Sequence, residues 1–168
     1  MAFESFKYVL DASAFYAGTP FLSGAKCATT TAVLDEVKHV RAAATEALID
    51  AGNLAIIDPD DMATEAVTSA ARRTGDLPRL SVADISVLAL ALQLKAVLVS
   101  DDYALANVAA TIGVRVQMSS GKGLRQVRKY TRYCSACGRA FGPDARECPL
   151  CGNALKRKYR SKKEAVSG

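Results

Sequence analysis

Four thiols and five carboxylates occupy positions where an ordinary soluble surface has no use for them. The thiols are the tighter pattern. Cys134-x2-Cys137 and Cys148-x2-Cys151 lie ten residues apart in 134-CSACGRAFGPDARECPLCG-152, and each pair is followed by a glycine, Gly138 or Gly152. Two CxxC turns supply four thiolates to a tetrahedral Zn2+, and the glycine eases the tight turn around each pair. The spacer suits a small β-ribbon with Gly142-Pro143 at its tip. Such a module is too small to fold on its own core, so the ion provides most of its stability. Disulfides are opposed by a reducing compartment. A redox CxxC is opposed by the duplication of the motif within a basic segment. Cys27 stands apart in a loop and reads as a free thiol.

The carboxylates are scattered and each is ambiguous alone. Asp11 ends the apolar run 7-KYVLDASAF-15, as a cap for the short helix begun at Ser13 or as part of a site. In the helical stretch from Thr31, Val33, Val37, Val40, Ala44 and Leu48 share one face. Asp35 points away from that stripe as a surface acid, whereas Glu36 lies on its flank and can reach a cleft. The segment 81-SVADISVLALALQLKA-96 is apolar nearly all round, with Ser86 and Gln93 marking its one polar side. Asp84 projects opposite to them, close in angle to Leu88 and Ala91. An ionised group there is costly without a donor or a cation, yet Ser81 and Asp84 also have the spacing of a capping box. In 97-VLVSDDYALANVA-109, Asp101 and Asp102 exceed the single cap that the next helix needs.

The elements that must position these acids alternate. Short apolar segments at Lys7–Leu10, Leu54–Ile57, Ala96–Val99 and Val114–Val116 read as strands of a parallel sheet buried on both faces. Helices are expected over Thr31–Ala51, Asp60–Arg73, Val82–Leu94 and Tyr103–Ile112. Loops are expected over Gly18–Thr30 and Thr74–Leu80. This order predicts a three-layer α/β domain with right-handed crossovers, in which ligands bind outside the carboxyl ends of the strands. Asp11 and Asp101/Asp102 stand at such ends. A cluster of four or more acids repels itself without cations, and hard oxygen ligands suit Mg2+ or Mn2+. His39 is the only histidine, so no histidine-based triad competes, and neither a P-loop nor GxGxxG is present.

Charge divides the chain. Residues 1–119 carry 9 Lys+Arg against 14 Asp+Glu, and residues 120–168 carry 13 against 3, for net charges of −5 and +10. A basic arm on an acidic body points to a polyanionic partner. No signal peptide is read at the N-terminus, and no apolar run approaches the ~18 to 20 residues of a membrane span. A soluble, cytoplasmic protein without a membrane partner is expected.

Taken in order, Asp11 in VLDASAF, Glu36 in TTTAVLDEVKH, Asp84 in LSVADISVLALA and the DDYxxxN pattern of 100-SDDYALANVA-109, followed by the four-cysteine ribbon, resemble the PIN nucleases of the "NIN-one-binding" family in its short archaeal form. The resemblance implies a PIN-like domain over 1–118, a basic linker over 119–131, a zinc ribbon over 132–158 and a disordered basic tail over 159–168. It also implies an endoribonuclease that cleaves precursor small-subunit ribosomal RNA near its 3′ end, leaving a 3′-hydroxyl and a 5′-phosphate. Its partner would be the pre-small-subunit particle, with ribosome-assembly proteins. Asp11, Glu36, Asp84 and either Asp101 or Asp102 would form the catalytic set. A family reading of the last motif as Thr-x-Asp favours Asp102 as ligand and puts Ser100 in the hydroxyl position. Counting from the strand end favours Asp101. Mg2+ or Mn2+ would be held by Asp11, Glu36, Asp84 and Asp102. Arg125, Arg128, Lys129, Arg132, Arg139, Lys156, Arg157 and Lys158 would grip the RNA backbone, while Tyr130, Tyr133 and Phe141 would stack on bases or fill the ribbon core. Ser13 and Thr29–Thr31 would contact phosphate or serve as caps. The rivals are a non-catalytic RNA-binding assembly factor, a toxin-type PIN ribonuclease and a receiver-like domain. The last wants its acid pair after the first strand and a lysine after the last, and this chain has neither.

Overall fold

Tyr8–Leu10 forms β1, the middle strand of a five-stranded, all-parallel sheet in the order β3-β2-β1-β4-β5. Its flanks are β2 (Cys27–Thr29) and β3 (Leu54–Ile56) on one side, and β4 (Val97–Val99) and β5 (Val116–Gln117) on the other. The computed structural model describes residues 6–18, 24–40, 42–119, 128–142 and 145–161. Val9, Leu10, Leu98 and Val99 are at most 1 % exposed. Burial of each such side chain contributes about 1.5–3 kcal/mol, so the two inner strands make a stiff floor for whatever stands at their ends.

Among the described residues, six helices flank the sheet: α1 (Ala12–Ala17), α2 (Thr31–Val37), α3 (Ala42–Asp50), α4 (Asp61–Thr74), α5 (Val82–Leu94) and α6 (Tyr103–Thr111). The central one is α5. It packs on α4, α2, α6, β1 and β4, which accounts for its buried run Val87–Ala91. The sequence pattern of an all-round apolar helix therefore reports its position. Among the described residues no helix is long and apolar enough to cross a membrane.

Two expectations require correction. Residues 27–29, expected within a loop, form β2 between β1 and β3. The segment Cys-Ala-Thr has little local strand signal, and its pairing on both sides decides its conformation. Cys27 is consequently a buried strand residue whose thiol donates to the Ala25 carbonyl at 3.2 Å, not a loop cysteine. The helix expected over Thr31–Ala51 is two helices. The chain turns after Val37, where the N–H of Val40 donates to the Val37 carbonyl at 2.7 Å. α2 packs on α5 and α1, while α3 packs on β3, so one straight rod cannot satisfy both. The expected stripe is broken with it: Ala44 is exposed and Thr45 faces inward.

After Ser119 the described chain resumes in β6 (Arg128–Tyr133), which pairs antiparallel with β7 (Ala140–Phe141) and with β8 (Lys156–Ser161). Cys134, Cys148 and Leu155 are its buried residues, with Phe141 and Ala145 packed against them. Phe141 thus belongs to the ribbon core. The expected linker residues 120–127, with Arg125, lie outside the described residues, as do Pro143 and residues 162–168 of the expected tail.

Candidate functional site

The strand order reverses at the β1–β4 junction. From β1 the chain winds outward through β2 and β3, then returns to the other side of β1 with β4 and β5. The carboxyl ends of β1 and β4 therefore flank a topological switch point, the place where open α/β sheets bind ligands. Asp11 and the Ser100-Asp101-Asp102 run occupy those two ends.

Asp11 is 5 % exposed and held from several directions. Its N–H donates to the Val99 carbonyl of β4 at 3.1 Å. Its Oδ1 accepts from the Ala12 N–H at 2.7 Å. Its Oδ2 accepts from the hydroxyls of Ser100, at 2.7 Å, and Ser13, at 3.0 Å. Asp11 is the N-cap of α1 and also a carboxylate fixed by three donors, so the cap and the site are one group.

The same holds for Asp84. The capping box is complete: the Ser81 N–H donates to Asp84 Oδ2 at 2.7 Å and the Asp84 N–H donates to Ser81 Oγ at 3.1 Å. Burial nevertheless raises the Asp84 carboxyl above the ordinary carboxylate range. The Ser81 hydrogen bonds oppose that shift, and the charges of Asp11 and Asp102 add to it. Glu36, in α2, is likewise raised, first by desolvation and then by the charges of Asp84 and Asp11. Acids from α2, α5 and the ends of β1 and β4 are thus mutually repelling neighbours. The α2 end is fixed to α5 by the hydroxyls of Thr30 and Ser86, 2.8 Å apart, with Thr30 also capping α2.

Asp101 and Asp102 diverge. Asp102 caps α6, its Oδ1 accepting from the N–H groups of Ala104 and Leu105, and its charge bears on Asp84. Asp101 turns the other way, its Oδ1 and Oδ2 accepting from the N–H and hydroxyl of Ser119. Asp11, Glu36, Asp84 and Asp102 form the electrostatic cluster. The donor chemistry fits a divalent cation, because hard oxygens whose mutual charge raises two of them gain most from a cation. Among the described residues the cysteines alone bring their ligand atoms within 4.8 Å of one another.

The thiols converge. Cys134 and Cys151 sulfurs are 3.4 Å apart, and those of Cys137 and Cys148 are 3.7 Å apart. Tetrahedral Zn–S bonds of about 2.3 Å place sulfurs about 3.8 Å from one another, so the quartet fits the ion. Backbone N–H groups aim at all four sulfurs. The N–H of Cys137, ahead of that of Ala136, lowers the Cys134 thiol to about 6 against the cost of burial. At Cys148 burial opposes ionisation, and the N–H groups of Leu150 and Cys151 outweigh it. Gly138 and Gly152 sit at φ +70° and +68° as each turn demands.

Of the basic residues singled out, Arg139, Lys156 and Lys158 are exposed, with the Lys158 ammonium 5.8 Å from the Tyr133 ring centroid. Arg128 and Lys129 lie on β6. Arg132 donates to the Leu155 carbonyl, and Arg157 is turned toward Asp76, at 2.6 Å. The hydroxyls named as phosphate contacts have structural partners: Ser13 bonds Asp11, Thr29 bonds the Leu10 carbonyl, and Thr31 bonds Asp58. Sequence reasoning overlooked Asp76, a fully buried acid in the segment read as a loop. Its only signal is an acid directly after the helix-ending Gly75.

A family described as the PIN domain of ribonuclease matches residues 8–94. The endoribonuclease Nob1 of Pyrococcus abyssi is 39% identical over 161 residues, covering 92% of this chain and 97% of its own. That of Methanocaldococcus jannaschii is 36% identical over 153 residues, covering 89% and 76%. Ribonuclease VapC1 of Thermoplasma acidophilum is 30% identical over 161 residues, covering 95% and 81%.

Proposed function

The chain belongs to the PIN-domain ribonucleases of the Nob1 type, and on that premise we propose that it is a metal-dependent endoribonuclease that hydrolyses precursor small-subunit ribosomal RNA near its 3′ end. The observation that carries this reading is the joining of Asp11, Glu36, Asp84 and Asp102 into one charge cluster at the β1–β4 switch point.

These four residues would hold Mg2+ or Mn2+, which supplies a water of lowered pKa and neutralises charge on the scissile phosphate. The protein's own part is positioning. Ser100 and Ser13 clamp Asp11 Oδ2, and the sheet hydrogen bond to Val99 fixes its backbone. Ser81 fixes the Asp84 carboxylate, and the start of α6 fixes that of Asp102. The acids are therefore arranged before substrate arrives, and little reorganisation is left for the reaction. Ser100 is the hydroxyl partner of the cluster and Asp102 its ligand, while Asp101 ties down Ser119. Hydrolysis leaves a 3′-hydroxyl and a 5′-phosphate.

The zinc ribbon and its basic strands supply sequence-independent grip. Arg139, Lys156 and Lys158 meet phosphates. Binding should weaken steeply with salt. The particle bound is the pre-small-subunit, in the cytoplasm. The test is to incubate the zinc-loaded protein with a precursor RNA spanning the 3′ end, with and without Mn2+, and to map the cut ends. Cleavage at one region with the stated end groups is expected only with the metal. Intact RNA in both arms would leave an RNA-binding assembly factor as the better account.

A further inference from the structure

The ribbon reaches the nuclease body at a buried carboxylate. Asp76 follows Gly75 at the end of α4 and is fully buried. Its Oδ1 accepts from Arg157 Nη2 at 2.6 Å, and its Oδ2 accepts from Asn107 Nδ2 at 2.6 Å. The same Arg157 nitrogen donates to the Gly75 carbonyl at 3.2 Å. Arg157 belongs to β8 and stands opposite Arg132 of β6. Asn107, 2 % exposed, belongs to α6. A buried carboxylate is stable only with such partners, and the loss of one leaves an uncompensated charge.

Two segments meeting at Asp76 are those that deliver acids to the cluster. The turn Leu77–Arg79 leads directly from Asp76 to Ser81 and Asp84. α6 carries Asp102 at its N-cap and Asn107 in its middle. We infer that Arg157 is a positioning residue, through which the zinc ribbon is clasped to Asp76 and held in fixed relation to the acid cluster. The inference rests on the nuclease reading and adds the reason why a cation on the ribbon points inward. An RNA that touches both units then meets two surfaces already oriented, and the cost of aligning them is removed from binding. Zinc takes part at a distance, because the ion holds the turns beside β6 and β8 and so keeps Arg157 in place.

The experiment uses the full, zinc-loaded chain as parent, Arg157→Gln, Arg157→Lys, Asp76→Asn and the Arg157→Gln/Asp76→Asn double variant. Backbone 15N relaxation is measured first. Ribbon and body amides of the parent should share one tumbling time, and those of Arg157→Gln should separate, with the ribbon faster. Arg157→Lys should fall between, since a point charge replaces part of the fork. Steady-state cleavage of an RNA long enough to reach the ribbon should then show KM raised about tenfold in Arg157→Gln and in Asp76→Asn, with kcat within about threefold. The double variant should be no worse than the weaker single one. Asp76 is buried and cannot touch RNA, so a rise in KM on its neutralisation separates positioning from a lost phosphate contact. A shared tumbling time in Arg157→Gln, or an unchanged KM in Asp76→Asn, overturns the inference. Failure of the parent to cleave RNA would refute the nuclease reading instead, and the tumbling times would still decide the clasp.

Discussion

Replacing Asp84 by asparagine should separate stability from activity. The substitution removes a half-buried charge and keeps the shape of the side chain. An amide oxygen can still accept from the Ser81 N–H, now 2.7 Å from Asp84 Oδ2, and the Asp84 N–H keeps its 3.1 Å bond to Ser81 Oγ. The charged part of the cap is lost, a fraction of the ~0.5–2 kcal/mol that a full capping deletion costs. Relief from burial and from the charges of Asp11 and Asp102 is gained. A carboxyl whose folded pKa is raised binds its proton more tightly in the folded state, so its ionisation works against folding as pH rises past the unfolded value of about 4. Metal-free Asp84→Asn should therefore be at least as stable as the parent at pH 7, and its advantage should shrink toward pH 4. A gain of about 1 kcal/mol would raise Tm by roughly 2–4 °C in a chain of this size. Asp84→Ala forfeits the box and should lie about 1 kcal/mol below Asp84→Asn. Calorimetric melts of the three metal-free proteins at pH 4 and 7 decide it, with Mn2+ titrated afterwards. Mn2+ should raise the parent Tm and leave that of Asp84→Asn nearly unmoved. If Asp84→Asn and Asp84→Ala were equally destabilised at pH 7, the acid would be only a cap, and the electrostatic reading of the cluster would fail.

Asp101→Ala and Asp102→Ala should part company: Asp102→Ala loses cleavage and about 1 kcal/mol of α6 capping, whereas Asp101→Ala keeps activity within about tenfold and loses only the Ser119 bonds; rates and melts on both variants check this. Cys148→Ser should abolish zinc binding and leave ribbon amides unprotected in hydrogen exchange, because the module has little core beyond the metal. Leu98→Ala, at a fully buried position of β4, should cost about 2–5 kcal/mol in denaturant unfolding without changing the zinc content.

The central sheet was legible because its inner strands are short apolar runs, and α5 because a helix apolar all round has to be surrounded. The acids were legible as positions but not as roles. Asp11 and Asp84 carry both the cap and the cluster, a combination that local spacing can only pose as alternatives. β2 escaped notice because Cys-Ala-Thr becomes a strand through its two neighbours, not through its own propensity. The break after Val37 escaped because the 3.6-residue period runs on through Val40 to Leu48 even though the packing partners change. Asp76 escaped because its partners, Arg157 and Asn107, are 81 and 31 residues away, and nothing local marks an acid that will be buried. The cysteines were the easiest to read, since their spacing is itself the geometry of the ligand set.

The central claim is that the acid cluster at the β1–β4 switch point performs Mn2+-dependent RNA cleavage. The most direct measurement is the cleavage rate of a precursor RNA by the parent and by Asp11→Asn, with zinc content and RNA affinity determined on the same samples. That claim predicts a loss of at least about 1,000-fold in rate for Asp11→Asn, as for removal of other essential catalytic groups, with zinc retained and RNA affinity within about threefold. An undiminished Mn2+-dependent rate in Asp11→Asn would contradict it.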